Sequence, residues 1–154
     1  MEATTMPATP PKQALDYWRA NLAPQAFLVL FEEGTEAPGS SELNGETRVG
    51  TYVCAACFLP LFLSNHKYDS GTGWPSFTHP LPQRTALKTD LKLRQPRTEY
   101  HCALCGGHQG HVFNDGPGPH GQRWCNNGHA LRFVQDGEKL PELRSPSSDR
   151  AERE

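Results

Sequence analysis

The sequence has no long apolar run and no cluster of basic residues. Apolar residues make up 36% of the 154 positions, and the formal net charge is −2. No segment reaches the roughly 18 consecutive apolar residues typical of a membrane-spanning helix. No stretch of Lys and Arg provides the basic surface that supplies most non-specific affinity for nucleic acid. The sequence therefore argues against a membrane partner and against a nucleic-acid partner.

The N-terminus also lacks the apolar segment of a secretory signal. Residues 1–13 are rich in Pro, Thr and Ala instead, so we do not expect export through such a signal. Five cysteines are present, four of them in two Cys-x-x-Cys pairs. Such pairs are more typical of a metal site in a reducing compartment than of a disulfide framework. We therefore expect a cytoplasmic protein.

Turn-forming residues are abundant where apolar residues are scarce. The chain contains 14 Gly and 14 Pro, and this composition favours a β-rich or loop-rich domain over a helical bundle. Its length fits a single domain. We expect that domain to span residues 10–140, after a disordered segment at residues 1–9 and before a disordered polar tail at residues 141–154.

Two short helices and a series of short strands are predicted within this domain. Leu15, Trp18 and Leu22 recur at helical spacing after Pro10, which suits a first helical position. Residues 26–31 form an apolar run that we interpret as a second helix. Further along the chain, short segments separated by Gly, Pro or Asn predict small antiparallel strands. These strands are expected around residue 52 and at residues 59–63, 87–93, 97–101, 111–113, 122–125 and 130–134.

Four of the cysteines form two closely spaced pairs. Two residues separate Cys54 from Cys57, and two separate Cys102 from Cys105. This spacing lets both sulfurs of a pair reach one tetrahedral ion. A single pair could equally be a redox motif or two unrelated buried cysteines, but two pairs favour a shared zinc. Because four thiolates leave no open position for substrate, we predict a structural zinc site.

Cys125 is the cysteine outside these pairs. If residues 123–127 form a strand, Arg123, Cys125 and Asn127 lie on one face. A guanidinium beside a thiol favours the thiolate, which is the reactive form of cysteine. The alternative interpretation is an inert cysteine that serves as a small buried hydrophobic residue.

Two further motifs carry side chains suited to binding and proton transfer. Trp74 follows two glycines in a turn, where it could form the apolar wall of a ligand site or fill a gap in the core. His111, Phe113 and Asp115 share one face of a predicted strand, and His108 lies just before it. Two imidazoles and a carboxylate provide acid–base groups near neutral pH, although histidines also serve as metal ligands or structural residues. With Cys125 they suit either acyl transfer or attack on an oxidised sulfur.

Taken together, these motifs resemble the methionine sulfoxide reductase B family, which acts on the R epimer of methionine sulfoxide. The resemblance runs from about residue 14 to residue 133 and includes residues 67–77, 108–117 and 123–127. It implies a mainly β fold of small antiparallel sheets with short N-terminal helices and a structural Zn²⁺ held by the two cysteine pairs. It also implies repair of oxidised proteins through reduction of peptide-bound or free methionine R-sulfoxide.

The resemblance assigns the redox chemistry to Cys125. Its thiolate would attack the sulfoxide sulfur, release methionine and become a sulfenic acid. Arg123 would favour the thiolate, and Asn127 would orient the groups beside it. Glu99 would act indirectly, through other side chains and without contacting the reacting atoms.

The resemblance also assigns the substrate pocket and its proton donors. Trp74 would line the pocket for the methyl group of the substrate, with Phe113 as a second apolar contact. His108 and His111 would bind the sulfoxide oxygen and help to deliver a proton. Asp115 would hold these histidines in place.

The chain departs from many relatives at the position of the resolving cysteine, where it has Thr72. Because no second free thiol exists, the sulfenic acid would need an external thiol such as thioredoxin, or glutaredoxin with glutathione. Gln109 and His129 are further departures, and we expect Gln109 to make the pocket edge more polar. We expect a monomer. The competing hypothesis is a zinc-stabilised module that binds a protein partner around Trp74 and His108 without catalysis.

Overall fold

The computed structural model describes residues 12–32, 34–90, 97–117 and 121–146. The expected disorder of residues 1–9 lies outside these ranges. Within them, no helix is both long and apolar enough to cross a membrane. The described chain is mainly β, with two antiparallel sheets and two helices at the N-terminal end. This confirms the predicted fold class.

The two helices are α1 (Lys12–Asn21) and α2 (Pro24–Phe31). Pro24 occupies the start of α2, where its fixed φ angle suits the helix and its missing N–H is not needed. The ring of Trp18 on α1 is 2% exposed and stacks on Phe31 at a centroid distance of 5.6 Å. Both predicted helices therefore form, and their apolar faces pack together over the core.

The smaller sheet has three strands in the order β2-β1-β9, and all pairings are antiparallel. These strands are β1 (Gly50–Cys54), β2 (Pro60–Leu63) and β9 (Leu131–Gln135). The larger sheet has six strands in the order β3-β4-β8-β7-β6-β5. Its strands are β3 (Lys67–Tyr68), β4 (Ser76–Phe77), β5 (Thr85–Asp90), β6 (Arg97–Cys102), β7 (His108–Phe113) and β8 (Arg123–Asn126).

A continuous set of aromatic rings packs between the two sheets. Phe62 of β2 stacks on Phe77 of β4 with centroids 4.0 Å apart, and Tyr52 of β1 meets the same ring edge-on at 5.1 Å. Trp124 of β8 packs against Tyr100 of β6 at 4.8 Å. These rings supply the large apolar area that a chain of modest apolar content needs for its core. Trp124 faces this core, so its neighbours along β8 face away from it.

The tail predicted to be disordered is described as far as residue 146. Within it, the backbone N–H of Arg144 donates to the carbonyl of Cys57 at 3.0 Å, and its Nε donates to the carbonyl of Ala56 at 2.6 Å. The guanidinium also lies 4.3 Å from the ring centre of Phe58. Arg144 thereby fastens this part of the tail to the first cysteine pair, while residues 147–154 lie outside the described ranges.

Candidate active site and metal centre

The two cysteine pairs lie in turns of the same backbone geometry. The residue after each pair has a positive φ angle, 70° at Phe58 and 79° at Gly106. In each turn that residue donates its N–H to the carbonyl of the first cysteine, Cys54 or Cys102, at 2.9 Å. Glycine adopts this left-handed conformation readily, whereas Phe58 adopts it at a cost.

The four sulfurs of these turns converge on one point. The Sγ atoms of Cys54 and Cys105 lie 3.6 Å apart, and those of Cys57 and Cys102 lie 3.4 Å apart. All four sulfurs are within 4.8 Å of one another, and none forms a disulfide. A tetrahedral ion with metal–sulfur distances of about 2.3 Å would separate its ligands by about 3.8 Å. The quartet can therefore hold a metal ion such as zinc.

Gln109 connects this quartet to the strand that carries Cys125. Its Nε2 donates to the sulfur of Cys54 at 3.4 Å, and its Oε1 accepts from the Nδ2 of Asn126 at 3.0 Å. Gln109 is fully buried. The expectation that Gln109 would make the edge of the substrate pocket more polar is wrong, because its amide faces the cysteine quartet and the core.

Candidate site residues line up in one row across the larger sheet. Glu99 of β6 is opposite His111 of β7, and His111 is opposite Cys125 of β8. The row continues through Ser76 of β4 to Tyr68 of β3. Directly opposite residues of antiparallel strands project from the same face of the sheet. The sheet register therefore joins the two faces that the sequence predicted separately around Cys125 and His111.

The thiol of Cys125 is partly buried in a mixed electrostatic environment. Burial raises its pKa above the ordinary value, while the positive charge of Arg123 lowers it. Hydrogen bonds from Thr72 and Arg123 also lower this pKa. Arg123 thus acts in the predicted direction, but the net pKa remains raised because desolvation outweighs it. Thr72, at the position where the resemblance led us to look for a resolving cysteine, contacts the sulfur of Cys125.

Arg123 is held by Asp115 rather than left mobile. Its Nε and Nη2 donate to the two carboxylate oxygens of Asp115 at 2.8 and 3.1 Å, and this pairing lowers the pKa of Asp115. The guanidinium also covers the ring of Phe113 at 4.3 Å. Asp115 was expected to support the histidines, whereas the structure directs both of its oxygens to Arg123. Its contribution to Cys125 is therefore made through that guanidinium.

The histidines cluster around a different carboxylate. The ring centroids of His108 and His111 lie 5.5 Å apart, and that of His101 lies 5.2 Å from His108. The Oε1 atom of Glu99 lies 2.9 Å from Nε2 of His101, and both side chains are almost fully buried. Glu99 therefore occupies the place expected of Asp115. The sequence reasoning did not single out His101, although its alternation with Glu99 along a predicted strand was a usable signal.

Trp74 and Asn127 are connected through the loop that contains Glu36. The indole Nε1 of Trp74 donates to the backbone carbonyl of Glu36 at 2.9 Å. The N–H of Glu36 in turn donates to Oδ1 of Asn127 at 3.1 Å, and Nδ2 of Asn127 donates to the carbonyl of Gln109 at 3.0 Å. Asn127 is 4% exposed. It therefore fixes the position of Trp74 through Glu36, a residue that the sequence offered no reason to single out beyond the resemblance.

Comparison with known proteins agrees with this geometry. The SelR domain matches residues 22–135. This chain belongs to the SelR domain family. A peptide methionine sulfoxide reductase MsrB from Agrobacterium fabrum is 48% identical over 117 residues, which cover 75% of this chain and 87% of the relative. MsrB from Bradyrhizobium diazoefficiens is 49% identical over 119 residues (77% and 86%), and MsrB from Caulobacter vibrioides is 44% identical over 136 residues (87% and 86%).

The family membership confirms the resemblance drawn from the motifs. In this SelR chain, Cys125, Arg123 and His111 share one face of the larger sheet, although the sequence predicted the face of Cys125 and that of His111 only separately. Thr72 bonds to Cys125 and accepts from the backbone N–H of Trp74, so the turn that carries Trp74 reaches this face. The roles of these residues remain predictions.

Proposed function

We propose that this chain is a peptide-methionine (R)-S-oxide reductase that repairs oxidised methionine. The observation that carries the proposal is the position of Cys125, partly exposed on a sheet face with His111 directly opposite and Arg123 two positions earlier on the same face of its strand. Membership of the SelR family and the names of the relatives agree with this chemistry.

The reaction transfers one oxygen from the sulfoxide sulfur to the sulfur of Cys125. The thiolate of Cys125 attacks the sulfoxide sulfur, which is reduced by two electrons and leaves as methionine. The cysteine sulfur is oxidised by two electrons, and the sulfoxide oxygen ends with one proton as the hydroxyl of a sulfenic acid. Negative charge builds on that oxygen during the attack, so proton donors beside it stabilise the transition state.

The surrounding side chains stabilise the thiolate, deliver the proton and bind the methyl group. Arg123 favours the thiolate against the opposing effect of burial, and Asp115 orients Arg123. His108 and His111 deliver the proton to the sulfoxide oxygen. Trp74 and Phe113 contact the methyl group and exclude water from it; Asn127 acts as a positioning residue for Trp74.

Recycling of the sulfenic acid requires two thiols from outside the chain. Four of the five cysteines belong to the quartet, and Thr72 contacts Cys125 in place of a resolving thiol. We infer that thioredoxin, or glutathione with glutaredoxin, reduces the sulfenic acid to the thiol and forms water and a disulfide. Such thiol reductants are maintained in the cytoplasm, the location that we propose for this protein, which we propose to be a monomer.

Zinc is the ion proposed for the cysteine quartet, where it has a structural role. Four thiolates at the observed spacing suit a tetrahedral soft-to-borderline ion and leave no open coordination position. When bound, the ion supplies a cross-link between distant parts of the chain. The reacting groups are those around Cys125, which is not a member of the quartet.

The decisive assay measures methionine formed from each epimer of a peptide methionine sulfoxide, with dithiothreitol as reductant. We expect turnover of the R epimer and none of the S epimer. Cys125→Ser should abolish turnover while its zinc content and circular dichroism match those of the unaltered protein. Full turnover by Cys125→Ser would refute the assignment of the nucleophile. Absence of turnover in the unaltered protein would favour the non-catalytic binding module instead.

A second measurement follows a single turnover without thiol. We expect about one methionine per chain and a sulfenic acid that dimedone traps at Cys125. An internal disulfide detected by mass spectrometry would contradict the division between the zinc quartet and the redox cysteine.

A further inference from the structure

A second set of possible metal ligands lies beside Cys125, apart from the cysteine quartet. One carboxylate oxygen of Glu99 and one ring nitrogen each of His108 and His111 lie within 4.8 Å of one another. Glu99 and His108 are each 2% exposed, and His111 is partly exposed. The three ligand atoms therefore converge at a largely buried point, and His111 is the partly exposed member of the set.

The backbone and an outer partner hold these side chains in place. Glu99 and His111 are directly opposite each other on neighbouring strands, which brings their side chains within reach of a common ion. His101 lies 2.9 Å from one oxygen of Glu99 through Nε2, and its Nδ1 lies 2.9 Å from the carbonyl of Gly106. Metal-binding carboxylates commonly have such a hydrogen-bonded partner, which fixes their orientation. The second carboxylate oxygen of Glu99 can then serve as a ligand.

The ligand set selects a class of ion. Two imidazoles and one carboxylate suit divalent first-row transition ions such as Zn²⁺ and Co²⁺ more than Mg²⁺ or Ca²⁺. Ligand atoms around such an ion stand about 3 to 3.5 Å apart at bond lengths near 2.1 Å. The present spacing of at most 4.8 Å must therefore shorten by up to about 1.8 Å when an ion binds. Three protein ligands leave a position open toward the partly exposed side, where water or a substrate oxygen could bind.

We propose that Glu99, His108 and His111 form a reversible inhibitory site for Zn²⁺ and similar ions, separate from the structural quartet. Its inhibitory effect rests on the proposed function, because the two imidazoles that bind the ion are those assigned to proton delivery. An ion at this site engages their lone pairs and stands where the sulfoxide oxygen would bind. Inhibition is therefore competitive with substrate and is reversed by a chelator.

Binding is tested in the Cys125→Ser protein with its quartet already filled with zinc. Removing the thiol of Cys125 prevents it from capturing the added ion and makes the measurement independent of turnover. We expect Co²⁺ to bind as one further equivalent per chain, with visible d–d bands and no thiolate charge-transfer band. Glu99→Gln and His111→Asn in the same background should each weaken binding by more than the roughly 10- to 100-fold that losing an outer partner costs.

A matched control uses a close imidazole pair that lies outside the cluster of His101, His108 and His111. The rings of His66 and His79 lie 3.8 Å apart, outside the row of Cys125. We expect His79→Asn to keep the Co²⁺ equivalent. Binding that is lost in His79→Asn, unchanged in both Glu99→Gln and His111→Asn, or absent altogether would overturn the proposed site.

Inhibition is tested by a single turnover without added thiol, because thiol reductants bind zinc. We expect one added equivalent of Zn²⁺ to slow methionine formation and a chelator to restore it without removing the quartet zinc. Equal rates with and without Zn²⁺, in a protein that binds Co²⁺, would refute the inhibitory role. Absence of methionine in metal-free buffer would instead refute the reductase function and leave the binding result unaffected.

Discussion

The substitution Asn127→Ala tests whether a buried amide positions Trp74. The side chain of Asn127 accepts from the N–H of Glu36 and donates to the carbonyl of Gln109. The carbonyl of Gln109 still accepts from the backbone N–H of Asn127 at 2.9 Å after the substitution. Loss of the side-chain donor therefore costs one ordinary hydrogen bond. The N–H of Glu36, which is 8% exposed, loses its acceptor.

These two losses set the size of the expected effect. An ordinary hydrogen bond contributes about 1 kcal/mol, and a buried donor left without an acceptor costs about 1–3 kcal/mol. The free energy of unfolding should therefore fall by about 2–4 kcal/mol. In a chain of this length, that corresponds to a Tm lower by roughly 5 to 15 °C. Urea unfolding and thermal scans measure both quantities.

The catalytic effect should follow the position of Trp74. Without the Asn127 amide, Glu36 keeps its side-chain bond to the N–H of His129 at 2.8 Å but loses the acceptor of its own N–H, so it holds the indole bonded to its carbonyl less firmly. We expect KM for methionine R-sulfoxide to rise while kcat changes less, because Asn127 does not contact the reacting atoms in the proposed mechanism. Asn65→Ala is the control: Asn65 is exposed, and its replacement should change stability by less than about 0.5 kcal/mol. A loss below about 1 kcal/mol with unchanged KM would refute the reasoning.

Two further predictions concern Arg123 and Arg144. Alkylation of Cys125 by iodoacetamide should accelerate as pH rises, because only the thiolate reacts and burial raises the pKa of this thiol. Arg123→Gln removes two effects that lower this pKa, so the pH–rate curve should shift to higher pH; Arg48→Gln should leave it in place, and an equal shift in both would refute the argument. Arg144→Ala should lower the free energy of unfolding by about 2 kcal/mol, because a guanidinium hydrogen bond to Ala56 and the contact with Phe58 are lost. Deleting residues 147–154 is its control, and equal effects of the two changes on urea unfolding would contradict the docking of Arg144.

The fold was predictable where the sequence carries periodic patterns. The spacing of Leu15, Trp18 and Leu22 marked α1, and the short segments between Gly, Pro and Asn marked most strands. The two-residue strands β3 and β4 escaped prediction because such short segments have no measurable period. Pairing order was also out of reach, since neighbouring strands β4 and β8 are far apart in the sequence.

The grouping of the paired cysteines was predictable from the sequence, but several contacts around Cys125 were not. Residue types and spacing were enough to predict the cysteine quartet and to single out Cys125. The sequence predicted Asp115 as the carboxylate beside the histidines, whereas the structure has Glu99 there. Which carboxylate lies there depends on the long-range pairing of β6 with β7. The raised pKa of Cys125 depends on burial, which a strand pattern does not quantify. The orientation of Gln109 toward Cys54 likewise depends on tertiary packing.

The cysteine quartet fastens the ends of strands from both sheets. Cys54 ends β1 in one sheet and Cys102 ends β6 in the other, three positions after Glu99. A protein proposed to undo oxidative damage thus depends on four oxidisable atoms to stay assembled. Severe oxidation of these sulfurs would then disable repair by removing the link between the two sheets, even while Cys125 itself could still be reduced. Recovery from such an episode would require resupply of the proposed metal ion as well as reducing power.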